Sequence, residues 1–141
     1  MKHLLLILAM TFWFSAYSQN LEIVEEKTAV ENALRDYIEG WYQGNAKRMD
    51  RSLHDDLVKR ISVTDSSEIG IKLRMVPKSR MVELTENGGG ENPNGEYQII
   101  VDHIDKDIAT ARVLSEKYHD YCHLAKTNDG WQIVNILFRY R

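Results

Sequence analysis

Tyr121, His123 and Asn135 are the polar residues whose spacing most suits joint action on a small molecule. Tyr121 and His123 stand two apart in a stretch rich in aromatic and β-branched residues, so as a strand they share one face. Asn135 belongs to the next such stretch, in the otherwise apolar series Trp131, Ile133, Leu137. A buried amide is costly without a partner, so Asn135 points to a ligand, a water or an internal polar neighbour. Tyr37 and Trp41 lie one helical turn apart on an apolar stripe. They are core residues by default; facing a cavity, they add a flat apolar wall and one hydroxyl, the makeup of a small-molecule site. The five together predict a pocket for a small, mostly apolar or aromatic ligand.

Other groups carry less. His119 and His123 are four residues apart, which on a strand is ~13 Å, too far for the ~2.1 Å bonds of two imidazoles to one zinc; neither a metal nor a cofactor is expected. His54-Asp55-Asp56 reads either as an oriented general base or as a polar helix end with exposed carboxylates. Adjacency in sequence supplies no acid–base geometry. Cys122, the single cysteine, reads as a small buried apolar residue within a strand.

The elements that must position these residues follow from periodicity. Leu21–Gln43 reads as a long amphipathic helix with Val30, Leu34, Tyr37, Ile38 and Trp41 on one stripe. Asn45 caps a short second helix that runs to about His54. Strands are expected at Leu57–Val63 and Glu68–Met75, around a turn at Asp65-Ser66-Ser67, with Ile69, Ile71, Leu73 and Met75 on one face. Pro77 opens a third helix, Lys78–Glu86. The glycine-rich Asn87–Gly95 is a loop. A hairpin, Tyr97–Ile104 with Ile108–Glu116, precedes the last pair, Tyr121–Lys126 and Trp131–Phe138, joined by Asn128-Asp129-Gly130. In the final strand, alternation puts Trp131, Ile133, Asn135 and Leu137 on one face and Val134, Ile136 and Phe138 on the other. Helices gathered beside an antiparallel sheet define the α+β class.

The first 18 of the 141 residues read as a secretory leader: Lys2 and His3, the apolar run Leu4–Phe14, then a small-x-small site at Ala16-Tyr17-Ser18. The run is short for a membrane span of ~20 residues. One domain, 19–141, is then expected in the periplasm or outside the cell, with no membrane association after cleavage. Its charge falls from −3 to −4 on loss of Lys2. No basic cluster interrupts that acidity, which argues against nucleic acid as a partner.

The run RDYIEGWYQGNAKRMDRSLHDDL and the later HDYCHLAKTNDGWQIVNILF resemble the putative lumazine-binding family of the nuclear transport factor two-like (SnoaL-like) superfamily. The likeness is specific at Asp120-Tyr121, Leu124, Lys126, Gly130-Trp131 and Ile133-Val134-Asn135. It implies a cone-shaped fold, a curved antiparallel sheet wrapped around a long N-terminal helix, with a ligand cavity between them and often a homodimer through the sheet face. Ketosteroid isomerases, relatives within that superfamily, offer a residue test. Their oxyanion tyrosine falls on Tyr37, their general-base aspartate on Ile61, and their second oxyanion donor near His123. Isoleucine cannot abstract a proton, which argues against steroid-type isomerisation. Three expectations result: an exported binding protein; an acid–base enzyme (hydrolase, dehydratase or isomerase) with His123 as base and Tyr37 as donor; or a non-catalytic dimeric interaction module.

Overall fold

Helix α1 spans Lys2–Tyr42 and buries Val30, Leu34, Tyr37 and Ile38 against a sheet. The computed structural model describes the backbone of residues 2–64 and 71–141, and the side chains of 21–62 and 73–141. The expected turn at Asp65-Ser66-Ser67 and the facing of Ile69 and Ile71 lie outside the described residues. Helical backbone begins ahead of the expected Leu21. The short α2, Ala46–Ser52, is capped as expected, with the Arg48 amide donating to Asn45 Oδ1 at 3.1 Å. Helix α3 is Lys78–Glu86, as its periodicity predicts.

The strands are β1 (Leu53–Thr64), β2 (Ile71–Val76), β3 (Tyr97–Asp105), β4 (Ile108–Ser115), β5 (Tyr118–Thr127) and β6 (Gly130–Tyr140). Among the described residues they form one curved, unclosed sheet in the order β2-β1-β6-β5-β4-β3. Four of the pairings are antiparallel, but β1 runs parallel to β6. Alternation within a strand carries no information about its neighbour's direction, so this mixed sheet replaces the expected antiparallel one. The β5–β6 turn forms where expected: Gly130 sits at φ 96°, a conformation that a side chain disfavours.

Two facings depart from simple alternation. In β6, His123 pairs with Asn135 and Leu124 with Ile133, so Val134 is an extra, bulged residue. A bulge inserts one residue and shifts the phase of the strand beyond it. Trp131 and Ile133 therefore point inward, and so do Ile136 and Phe138, while Asn135 and Leu137 turn outward. In β2, Leu73 and Met75 are exposed at 58% and 64%. Arg74 and Val76 face the helices instead. As the outermost strand, β2 leaves one face uncovered, so apolar alternation there does not reveal which side is core.

The core lies between α1 and the concave face of the sheet. It gathers Leu53, Leu57 and Ile61 of β1, Val113 of β4, Cys122 and Leu124 of β5, and the four inward residues of β6. Asn87–Gly95 is a loop, as expected, and Trp41 lies directly beneath Gly90.

Candidate functional site

One concave hollow of about 140 Å³ opens between α1, α3 and the sheet. Its walls are apolar and aromatic: Ile38 and Trp41 from α1, Met81 and Leu84 from α3, Ile61 from β1, Tyr118 from β5, Phe138 and Tyr140 from β6. Tyr118, Phe138 and Tyr140 form a tilted aromatic cluster with centroids 5.4–6.4 Å apart. Arg74 of β2 also lines the hollow.

At its floor sit three polar residues in contact: Tyr37, Lys59 and Asp120. The Lys59 ammonium donates to the Tyr37 oxygen and, at 3.3 Å, to Asp120 Oδ1. The Tyr37 hydroxyl donates to the same Oδ1 at 3.1 Å. Lys59 Nζ also lies 4.2 Å from the centroid of the Phe138 ring and 5.0 Å from that of Tyr37, within reach of both ring quadrupoles. The Lys59 and Asp120 side chains are 6% and 3% exposed, so the pair is dry. Among the described residues no buried side-chain nitrogen or oxygen lacks a partner. Burial, reinforced by the Asp120 carboxylate, pushes the Tyr37 phenol well above its ordinary 10.0. Burial and the same carboxylate push the Cys122 thiol up as well. Tyr37 therefore stays protonated and donates its hydrogen bond to Asp120.

Of the five residues singled out from sequence, Tyr37 and Trp41 reach the hollow. Tyr121, His123 and Asn135 do come together, but on the other face of the sheet. The Asn135 amide lies 3.3 Å from His123 Nδ1, and Arg60 donates to Asn135 Oδ1 at 3.4 Å. Tyr121 is 51% exposed. The expectation that these three face the cavity is corrected: β5 sends Asp120, Cys122 and Leu124 inward, and the Val134 bulge turns Asn135 outward. Asn135 satisfies its amide there with side chains. A His123 base acting with Tyr37 has no geometry to support it, because the sheet separates them.

Lys59 and Asp120 were legible by the reasoning applied to Asn135. Lys59 interrupts the alternate apolar series Leu57, Ile61, and Asp120 interrupts Tyr118, Cys122, Leu124. Two opposite charges on inward faces of two strands imply each other, since a buried charge needs a partner.

The His54-Asp55-Asp56 triplet lies at the start of β1, past the end of α2 at Ser52, and so is not the helix end that its sequence suggests. His54 Nδ1 accepts from the Asp56 amide at 3.1 Å, and Asp55 pairs with Lys78 at 2.8 Å. Asp55 thus faces Lys78 and does not orient His54. The surface depression beside it, edged by Asp50, His54, Asp55, Lys78 and Asp129, is wide and polar, about 630 Å³. It lacks the apolar and aromatic lining that makes the smaller hollow the better site. Among the described residues no group of three or more His, Cys, Asp or Glu is placed to hold a metal.

Solved structures share this architecture. A nuclear transport factor two-like protein of unknown function from Shewanella baltica superposes with a TM-score of 0.71 at 18% identity, over 84% of this chain and 95% of that one. One from Methylobacillus flagellatus gives 0.68 at 22%, over 84% and 94%. A ketosteroid isomerase-like protein from Erwinia carotovora atroseptica gives 0.60 at 18%, over 82% and 96%. At these identities the likeness concerns the fold. No curated protein matches this chain. The family described as Putative lumazine-binding matches residues 25–139, from the exposed part of α1 to the end of β6, and the chain belongs to that family.

Proposed function

We propose that this is an exported small-molecule-binding protein whose hollow takes a small, mostly apolar or aromatic ligand, with Tyr37 and Trp41 among its contacts. The observation that carries this is a dry polar cluster, Tyr37–Lys59–Asp120, at the base of an otherwise mostly apolar and aromatic hollow. Apolar walls supply affinity, and a few convergent polar groups set orientation. The volume suits about one ring, since a cavity of ~150 Å³ holds benzene. The leader-like N-terminus supports export. Among the described residues no helix is long and apolar enough to cross a membrane.

The test is thermal denaturation with benzyl alcohol as probe, for the natural protein and for Ile61→Trp. Ile61 is fully buried at the hollow, so an indole there fills it. Binding predicts a rise in Tm for the natural protein and none for the filled variant. Equal shifts in both would overturn the reading.

A second reading, a homodimer through the sheet face, is favoured by Ile108, Tyr121 and Leu137 on its outer side, exposed at 57%, 51% and 44%. Exposed apolar groups gathered on one face mark interaction surfaces. Sedimentation of the natural chain and of Leu137→Glu tests it: a dimer that the substitution splits supports the reading, and a monomer in both rejects it.

A further inference from the structure

We propose that Lys59 forms a Schiff base with a small aldehyde or ketone admitted to the hollow, which makes the hollow a carbonyl-capturing site. This rests on the hollow being a binding site. Of the lysines among the described residues, Lys59 alone lines it. The amine lies beside a carboxylate at 3.3 Å, which can carry the protons of imine formation, and a phenol in hydrogen-bond contact with it. It also lies 4.2 Å from the centre of the Phe138 ring, beside which the apolar part of a carbonyl compound would pack.

The chemistry balances without an outside reagent. Passing the ammonium proton to Asp120, 3.3 Å away, gives a neutral amine and a carboxyl. The nitrogen lone pair attacks the carbonyl carbon, the C=O π bond breaks, and its oxygen takes the proton from Asp120. The added nitrogen then gives a proton back to Asp120, which closes the carbinolamine. That hydroxyl leaves as water, carrying a proton supplied by Asp120, while the nitrogen lone pair forms C=N⁺. The net change is ammonium plus carbonyl to iminium plus water. Tyr37, hydrogen-bonded to both partners, orients the carboxylate and holds the departing oxygen's side of the cluster polar.

Charge conservation makes the cluster suited to this step. The iminium carries the same single positive charge as the ammonium, at nearly the same place, so the product gives Asp120 back the counter-ion it began with. Acylation to a neutral amide would instead strand a buried carboxylate, which is strongly unfavourable.

The experiment treats the full chain with benzaldehyde and sodium cyanoborohydride, which fixes an imine as a secondary amine, and maps the adducts by peptide mass. Lys59 is expected to be modified at least about tenfold faster than any other lysine, because positioned acid–base groups give ~10²–10⁴-fold. Lys59→Arg keeps the buried charge and should remove that fast adduct without loss of fold. Tyr37→Phe should slow Lys59 labelling, while Asn135→Leu, on the other face of the sheet, should leave both that labelling and the benzyl alcohol shift in place. Adducts confined to other lysines, in a protein that benzyl alcohol does stabilise, overturn the carbonyl proposal and leave the binding reading standing. Absence of both the adduct and the benzyl alcohol shift overturns both.

Discussion

Lys59 and Asp120, 61 positions apart in sequence, meet as a buried ion pair 3.3 Å across the concave face of the sheet. Strands β1 and β5 are not neighbours; β6 lies between them. The two side chains therefore reach toward each other over Phe138, whose ring carries the ammonium. Such a pair adds little net stability over apolar residues of the same size, yet removing one partner leaves the other uncompensated.

That asymmetry predicts the outcome of a double-mutant cycle. Lys59→Met should cost about 3–5 kcal/mol and Asp120→Leu a similar amount. The double variant should recover most of the loss. Urea denaturation of all four proteins checks this. A sum of single losses in the double variant would show that the two residues do not act on each other.

Asn135→Leu separates the two faces of the sheet. Asn135 contacts His123 and Arg60 on the outer side, so the change should leave the benzyl alcohol shift of the natural protein intact. The stability effect should stay within about 1 kcal/mol, as for partly exposed polar groups whose former partners remain in water. A lost ligand shift would return Asn135 to the hollow.

Gly90→Ala tests the wall made by Trp41. A methyl group at Gly90 would lie 2.0 Å from the indole, so the ring or the loop must move. Overpacking of this kind costs about 1–3 kcal/mol, and here it should also alter Trp41 fluorescence and weaken probe binding. Unchanged fluorescence and affinity would mean that the loop gives way alone.

Trp131 is buried and its indole donates to Glu26 Oε2 at 2.7 Å. Trp131→Ala should cost about 3–5 kcal/mol. The bond also has a pH signature. Hydrogen bonds from Lys126 and then Trp131 hold the Glu26 carboxyl below its ordinary 4.5. A carboxyl depressed on folding stabilises above its unfolded value and loses that contribution as pH falls through the folded one. The stability gap between the natural protein and Glu26→Gln should therefore be constant above about pH 5.5 and close as pH drops below 4.5. A gap that is flat down to pH 3 would place Glu26 outside the network.

Much of the architecture was legible because strong local signals agreed with it. Asn45, Pro77 and Asn128-Asp129-Gly130 mark boundaries the structure keeps. The site was half legible. Tyr37 and Trp41 follow from helical spacing, which a long helix cannot easily break. The sheet residues were misjudged because strand facing is a parity argument, and one inserted residue reverses parity. β2 misled for a different reason: on an edge strand, Leu73 and Met75 are not obliged to point at the core.

The bulge at Val134 also governs what this strand can tolerate by way of length. Ahead of it the odd-numbered residues Trp131 and Ile133 carry the core, and beyond it the even-numbered Ile136 and Phe138 do. Val134 behaves as a spacer joining two reading frames of the same strand. Deleting it would leave Ile133 opposite Leu124 and Asn135 opposite His123 in unbroken succession, so Trp131, Ile133, Ile136 and Phe138 would keep their inward facing in simple alternation and the strand would lose only its bulge. The extra residue sets the local bend of the strand, and the facing of Phe138 toward Lys59 does not depend on it.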